Sequence, residues 1–440
     1  MRTTAACEAD AMILDAIETA PREELEALQL ERLRWTVGRV LDRVAPGREA
    51  LHDAGVTAAQ DIASLEDLAR LPFTRKSDLR EHYPFGLFAV PREELVRVHA
   101  SSGTGGKPTV VGYTRHDLEE VWEAVMARCL TTAGVRPGMV VHNAYGYGLF
   151  TGGLGFHQGA ERVGATVVPI SGGLTDRQVM LIRDFGAQAL CATPSYALVI
   201  AQGLRDAGID PGELALEVGL FGAEPWTEAM RAQIERELGL TAINFYGLSE
   251  IVGPGVSVEC PQERNGLHVN EDHFLVEVVD PATGAPLAPG EEGELVFTTL
   301  TKEALPLVRY RTADIASLTV ERCPCGRTLA RMSPVRGRYD DMLIIRGVNL
   351  YPSEVEHALL GVGGVAPHYQ LVVERPDALD TLTVHCEPSE DGIDRHALRA
   401  QIRHALHERT GLSIAVELLP PGAVPRSEGK AVRVVDRRPR

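Results

Sequence analysis

The chain has 440 residues, 44% hydrophobic and 24% charged, with a formal net charge of −17. That length exceeds one compact core and implies two or more domains, in a composition that is ordinary for a globular protein. The acidic balance argues against a broad nucleic-acid-binding or anionic-membrane surface, so an anionic ligand has to be met by a local concentration of Lys and Arg.

Residues 1–20 scatter Asp and Glu among apolar residues and lack the basic start and apolar core of a secretory signal. The apolar stretch 187–204 is interrupted by Pro194, Ser195, Tyr196 and Gln202, and no span reaches the length a membrane helix needs. A cytoplasmic location is expected. Seven cysteines is an odd count, with Cys7, Cys129, Cys191 and Cys386 scattered, and disulfides are not expected in that compartment.

Leu30, Leu33, Val37, Leu41 and Val44 recur at helical spacing and predict an amphipathic helix starting near Pro21, Glu23 and Glu24. The string Pro-Arg-Glu-Glu-Leu occurs at Pro21 and again at Pro91 with no longer repeat around it. Next come two strand-like runs, 96–99 and 109–113, separated by Ala100-Ser101-Ser102-Gly103-Thr104-Gly105-Gly106-Lys107-Pro108. Glycines allow a tight turn that exposes successive N–H groups. Ser and Thr add donors and Lys a point charge, which together suit a polyphosphate. The common phosphate loop is a different pattern, because Ser101 holds its first Gly position and Pro108 follows Lys107. In isolation the segment also reads as the glycine-rich turn of a β-hairpin.

From about residue 139 apolar β-branched runs (139–142, 165–170, 187–192, 218–222, 242–246) alternate with helical patterns such as 175–185 and 227–238. That alternation predicts a parallel sheet with covering helices, in which ligands sit at the carboxyl ends of strands. Phe221-Gly222-Ala223-Glu224-Pro225 and Tyr246-Gly247-Leu248-Ser249-Glu250 occupy two such ends. There Tyr246 suits base stacking and Glu250 suits Mg²⁺, against the plainer alternatives of a core tyrosine and a helix-capping glutamate.

After Gly255 shorter strands (274–279, 293–299, 307–311) lie between Gly- and Pro-rich turns and suggest an antiparallel or barrel-like unit. Asp314 follows the last of them and suits a ribose diol, or is an ordinary turn aspartate. Arg338 and Asp340 fall in a charged stretch, 336–341, that predicts a boundary. Beyond it, helices at 351–360 and 395–409 and strands at 369–374, 382–387 and 415–419 make a small α+β domain ending near Lys430. The expected architecture is α/β, with a large core over 1–336 that contains a β-rich subdomain, and a small mobile α+β domain over 337–440.

Taken together, 83–89, the glycine loop, 144–153, 221–226, 246–250 and 345–349 resemble the phenylacetate–CoA ligase family of the adenylate-forming superfamily over nearly the whole chain. The resemblance implies two half-reactions: ATP converts an aromatic acid to acyl-AMP and pyrophosphate, and a CoA thiol then displaces AMP. It implies that Ser101, Ser102, Gly103, Thr104, Gly106 and Lys107 hold the β- and γ-phosphates. Glu224 and Tyr246 would frame adenine, within motifs that also bring Gly222, Ala223, Pro225, Gly247 and Ser249 to the nucleotide. Glu250 would bind Mg²⁺, Asp314 the ribose, and Arg338 the nucleotide, while Asp340 would be the hinge. Lys430 would bridge carboxylate and α-phosphate in the first step only. Catalysis would thus fall to Lys430, Glu250 and Lys107.

The family's acid pocket maps to Tyr145, Phe150, Phe156, Gly222, Ile251, Val252 and Pro254. Two positions depart from the family pattern. Gly105 stands where a second Thr is usual, which removes a hydroxyl and weakens ATP binding without abolishing it. Phe156 stands where members often carry a small residue, which shortens the pocket and points to a benzoate or aminobenzoate rather than phenylacetate. An enzyme loading the phosphopantetheine of a carrier protein would share these motifs, and a non-catalytic nucleotide-binding module is a more distant alternative. Oligomeric state, including a homodimer, is left open.

Cys260, His268, Cys323 and Cys325 form a Cys-x7-His and a Cys-x-Cys. Three thiolates and an imidazole suit tetrahedral structural Zn²⁺, although Cys-x-Cys is shorter than the usual knuckle spacing. Unpaired reduced cysteines are the alternative. His142 and His157 have no catalytic context and read as structural.

Overall fold

The computed structural model describes residues 13–101, 108–341, 343–345, 348–375, 380–390, 392–426 and 432–438. The N-terminal helix Arg22–Arg43 follows Pro21 and carries Glu23 and Glu24 in its first turn and Arg43 in its last, charges that complement the helix dipole. Its face Leu33, Val37, Val40 and Leu41 is buried with Leu275, Leu300 and Val308. Ahead of it, the buried Glu18 carboxylate accepts the Arg327 Nε–H at 2.7 Å and the backbone N–H groups of Leu14 and Asp15 at 2.8 and 2.9 Å. The N–H of Thr328 donates to the Glu18 carbonyl at 2.9 Å. The first described residues are thereby fastened to a turn more than 300 positions later.

The strands Arg97–Ser101 and Thr109–Tyr113 pair antiparallel with Ser101 opposite Thr109, so the glycine loop closes a hairpin as the flanking runs predict. Ser102, Gly103, Thr104, Gly105, Gly106 and Lys107 themselves lie outside the described residues.

A nine-stranded sheet forms the centre. Thr166–Val168, Val140–Asn143, Ala189–Ala192, Val218–Phe221 and Thr241–Leu248 run parallel in that spatial order, with helices between them at Gly152–Val163, Thr175–Asp184, Pro194–Asp206 and Glu228–Leu238. This is the alternation read from the sequence. The sheet then turns antiparallel through Gly253–Val258, Leu267–Val269 and Arg331–Met332.

A second, four-stranded antiparallel sheet joins Phe274–Val279, Gly293–Thr299, Tyr310–Ala316 and Gly337–Arg338. The strand expected at 307–311 begins instead at Tyr310. Arg309 has φ +47°, which breaks extended backbone, and its buried guanidinium pairs with Glu277 at 2.9 Å.

The C-terminal domain has its own core, including Leu359, Leu371, Val384, Ile402 and Leu406. Helices Pro352–Leu360 and Arg395–Thr410 cover a sheet of Val365–Glu374, Thr381–Pro388, Ala415–Leu418 and Val434–Asp436. Leu360 packs against the neighbouring core that includes Ile234. Among the described residues no helix is long and apolar enough to cross a membrane.

Candidate active site

Two parallel neighbours, Val218–Phe221 and Thr241–Leu248, end side by side. Beyond the first, a Cβ on Gly222 would lie 2.4 Å from the Phe245 carbonyl oxygen, so only glycine fits that crossing. Ala223 follows with φ +69°, a conformation non-glycine residues rarely adopt. The turn exposes Ala223 and Pro225 and leaves Glu224 half-buried. Glu224 accepts the Ser195 backbone N–H at 2.8 Å.

At the second strand end the Tyr246 hydroxyl donates to Asp314 Oδ2 at 2.6 Å. Asp314 lies opposite Arg338 in the second sheet, and Arg338 Nη1 donates to Asp314 Oδ1 at 3.2 Å. Three residues assigned to the nucleotide from separate segments thus meet across two sheets. Burial pushes the Tyr246 phenol well up, and the Asp314 carboxylate pushes it further.

Glu250 is buried two turn residues past Leu248. Lys76 Nζ lies 3.5 Å from its carboxylate, and Lys302 Nζ donates to its carbonyl oxygen at 3.4 Å. Lys302 is 1% exposed and sits 4.9 Å over the Tyr113 ring. Desolvation pulls its ammonium down to about 8, against the carboxylates of Asp117 and Glu250, which raise it. Sequence reasoning missed both lysines. Lys302 is an isolated basic residue whose burial is set by distant packing, and the partly exposed Lys76 offers only the faint local signal of the Arg75–Lys76 pair. Ser249 Oγ lies 3.1 Å from Thr151 Oγ1, and Gly247 would place a Cβ 2.2 Å from the Gly253 carbonyl oxygen. At the mouth of the glycine loop the hydroxyls of Ser101 and Thr109 are buried and have no hydrogen-bond partner among the described residues.

The expected acid pocket assembles around an aromatic cluster. Tyr145 stacks on Phe156 at 4.9 Å and 8°, and Phe245 meets Phe156 edge-on at 4.8 Å. The Gly222 N–H donates to the Tyr145 hydroxyl at 3.2 Å, which itself donates to the Ala192 carbonyl. Ile251, Val252 and Pro254 are buried. The Val252 carbonyl accepts from the Tyr113 hydroxyl at 2.9 Å and the Pro254 carbonyl from Trp122 Nε1 at 3.0 Å. The helix Gly152–Val163 reaches this wall through Gly155, where a Cβ would lie 2.6 Å from Pro254 Cγ. Phe150 stands apart, 53% exposed on the preceding loop.

Cys260, His268, Cys323 and Cys325 converge as the spacing implied, all buried, with one donor atom from each within 4.8 Å of the others. Cys260 Sγ and Cys323 Sγ are 3.7 Å apart, and Cys325 Sγ and His268 Nε2 are 3.5 Å apart. A tetrahedron with ~2.3 Å metal–sulfur bonds has edges of ~3.8 Å, so the donor set fits Zn²⁺. Hydrogen bonds from Cys260 and Cys323, with His268 adjacent, hold the Cys325 thiol far below its ordinary range. Arg327 Nη1 adds a contact at 3.5 Å.

The C-terminal domain meets the nucleotide side through Arg433, whose Nη2 donates to Ser195 Oγ at 3.1 Å. Sequence analysis gave this residue no role. Lys430 and the side chain of Asp340 lie outside the described residues.

Comparison with known proteins matches this geometry to a family. Residues 3–300 match the pattern described as AMP-binding enzyme, and residues 347–438 that of the AMP-binding enzyme C-terminal domain. A phenylacetate–coenzyme A ligase of Thermus thermophilus is 57% identical over 96% of this chain and 98% of its own. One from Escherichia coli is 52% identical over 97% and 98%. A solved 2-hydroxyisobutyryl-CoA ligase in its postadenylation state superposes with a TM-score of 0.88 at 31% identity, over 95% of this chain and 91% of that one. The same ligase in its thioesterification state gives 0.71 at 32% identity, over 96% and 91%.

The fold and site define an AMP-binding, adenylate-forming enzyme that acts as an AMP-forming acid–CoA ligase. Within that class the chain belongs to the phenylacetate–CoA ligase family. Membership sets aside the binding-only alternative.

Proposed function

We propose that the acid is aromatic, with phenylacetate as the substrate, and that the acceptor is free CoA. The observation that carries this reading is the shared corner at Gly222. Its N–H meets the aromatic cluster through Tyr145, while the Gly222–Glu224 turn stands beside Tyr246 and Asp314. An acid in the cluster therefore lies next to a nucleotide at the strand ends. The phenylacetate–CoA ligases at 48–57% identity favour phenylacetate among aryl acids.

In the first half-reaction a carboxylate oxygen attacks the α-phosphorus. A new phosphorus–oxygen bond forms, the bond to the β-phosphate oxygen breaks, and pyrophosphate leaves. No base is required, because a carboxylate is ionised at neutral pH. In the second, the CoA sulfur attacks the acyl carbon, the thiol proton is lost and the bond to AMP breaks. Charge develops on phosphate oxygens in the first step, where fixed cations stabilise it.

In this reading the hydroxyls of Ser101 and Thr109 and the loop Ser102–Lys107 face the β- and γ-phosphates. Asp314 takes the ribose diol, Tyr246 and Glu224 bracket adenine, and Arg338 bonds the nucleotide. Lys430 joins carboxylate to α-phosphate. The two buried hydroxyls at the loop mouth, without a partner among the described residues, support the phosphate assignment. Glu250 offers the hard oxygen that suits Mg²⁺, which when bound neutralises phosphate charge. The Cys260–His268–Cys323–Cys325 site holds structural Zn²⁺. The unit beyond Asp340 turns about that residue between half-reactions, while Gly337 and Arg338 stay paired with the core strand Tyr310–Ala316. The enzyme works in the cytoplasm, where ATP and CoA are supplied.

A second reading keeps a benzoate or aminobenzoate as substrate. It rests on Phe156, whose ring fills the space behind Tyr145. ATP–pyrophosphate exchange across phenylacetates, benzoates and aminobenzoates, with and without free CoA, separates the two. Exchange strongest with phenylacetate, followed by its CoA thioester, supports the first reading, and a preference for benzoates replaces it with the second. Exchange without a thioester assigns a carrier-protein acceptor.

A further inference from the structure

Arg433 lies three positions after Lys430 and enters the strand Val434–Asp436. Its carbonyl accepts the Leu371 N–H at 2.7 Å, which registers the segment on the C-terminal sheet. Its guanidinium lies over the Tyr369 ring at 4.4 Å, and Nε is 3.8 Å from the buried Glu356 carboxylate. That carboxylate also takes the Tyr369 hydroxyl at 2.6 Å. The side chain is thus oriented entirely from within its own domain, and its Nη2 is left to reach across to Ser195 Oγ at 3.1 Å.

Ser195 is buried in the first turn of the helix Pro194–Asp206. Its backbone N–H is the group that holds Glu224. One serine therefore carries a contact to the C-terminal domain on its side chain and a contact to the adenine-side turn on its backbone. A guanidinium hydrogen bond in a half-buried interface is stronger than a neutral one.

The whole chain agrees better with the postadenylation form of the related ligase than with its thioesterification form, at nearly equal coverage. The Arg433–Ser195 contact is thus made in an arrangement nearer the former.

We propose that Arg433 is a positioning residue for the adenylation side of the cycle: docked on Ser195, it biases the C-terminal domain toward an arrangement like the related ligase's postadenylation form and away from the thioesterification form. The inference rests on the two-step reading above. A contact made in one orientation and not the other shifts the population between them. Its loss weakens adenylation more than thioester transfer.

The test uses Arg433→Met, Arg433→Lys and Ser195→Ala in the full-length enzyme. The first half-reaction is read as ATP–pyrophosphate exchange, and the second as thioester formation from supplied acyl-adenylate and CoA. Arg433→Met is expected to lower exchange about ten-fold relative to thioester formation, as loss of one charge-assisted hydrogen bond implies. Arg433→Lys should restore part of the ratio, and Ser195→Ala should move it in the same direction. Because Ser195 lies outside the C-terminal domain, its variant decides the matter if Arg433→Met disrupts that domain and depresses both reactions. An unchanged ratio in Ser195→Ala overturns the proposal. Wild-type enzyme that shows no exchange with any aryl acid defeats the functional reading instead, which keeps the two failures distinct.

Discussion

The Tyr246 hydroxyl and the Asp314 carboxylate, 68 positions apart, meet at 2.6 Å and join the main sheet to the antiparallel one. The bond fixes one carboxylate oxygen while Arg338 engages the other. Asp314→Asn keeps the shape but removes the charge that suits a ribose diol. A rise of about ten- to hundred-fold in KM for ATP is expected, from hydrogen bonds of ~1.5–3 kcal/mol to a charged group. Tyr246→Phe should raise it only a few-fold. Steady-state kinetics at saturating acid measure both, and equal effects on the two variants would contradict the assignment.

Lys302 makes stability depend on pH. It is protonated in the unfolded chain up to about 10.5 but in the fold only up to about 8. Across that window the fold binds fewer protons, so stability rises with pH. Below it the buried charge costs up to roughly 3 kcal/mol. Lys302→Met should therefore stabilise the protein at pH 7, with a gain that shrinks toward pH 10, while lowering turnover through the lost contact to Glu250. Urea unfolding at both pH values checks this, and a variant less stable than wild type at pH 7 refutes it.

Gly155 lets the helix Gly152–Val163 touch the acid-side wall. In Gly155→Ala the new methyl would lie 2.6 Å from Pro254 Cγ and 2.9 Å from the Trp122 ring. Overpacking of this kind costs ~1–3 kcal/mol. KM for the acid is expected to rise while KM for ATP stays near wild type. Parallel increases in both would place the damage elsewhere.

Phe156→Ala removes the ring stacked on Tyr145. The space it opens should raise kcat/KM for phenylacetate relative to benzoate. An unchanged ratio means the ring does not limit the pocket.

Metal analysis of freshly purified protein should find close to one zinc per chain. Chelation, or Cys325→Ser, should lower the melting temperature, because metal binding contributes to folding free energy. The chemistry should persist below the new transition, since a four-ligand site has no open position. Zinc-free protein with unchanged stability would leave three reduced cysteines beside His268.

The parallel strands, their helices and the loop-bearing hairpin were legible in the sequence because each depends on local periodicity and turn residues. Tyr246, Asp314 and Arg338 were each ambiguous alone, and the family resemblance supplied their grouping. Lys302, Lys76 and Arg433 were invisible because their roles come from partners far along the chain, with no local pattern to mark them. Phe150 is exposed in the structure, although an apolar residue inside a pocket motif reads as lining whichever way the loop turns it. The late start of the strand at Tyr310 reflects one left-handed residue, Arg309, in a run whose composition is otherwise that of a strand.

The bond between Glu18 and Arg327 constrains how the protein is born. Residue 18 leaves the ribosome long before its partner exists, and at ~5–20 residues per second the wait is roughly 15–60 s. Throughout that interval the Glu18 carboxylate stays hydrated or holds only its local donors, the N–H groups of Leu14 and Asp15. The amino-terminal end is thus the first part synthesised, yet its contact to Arg327 closes only once that residue has emerged.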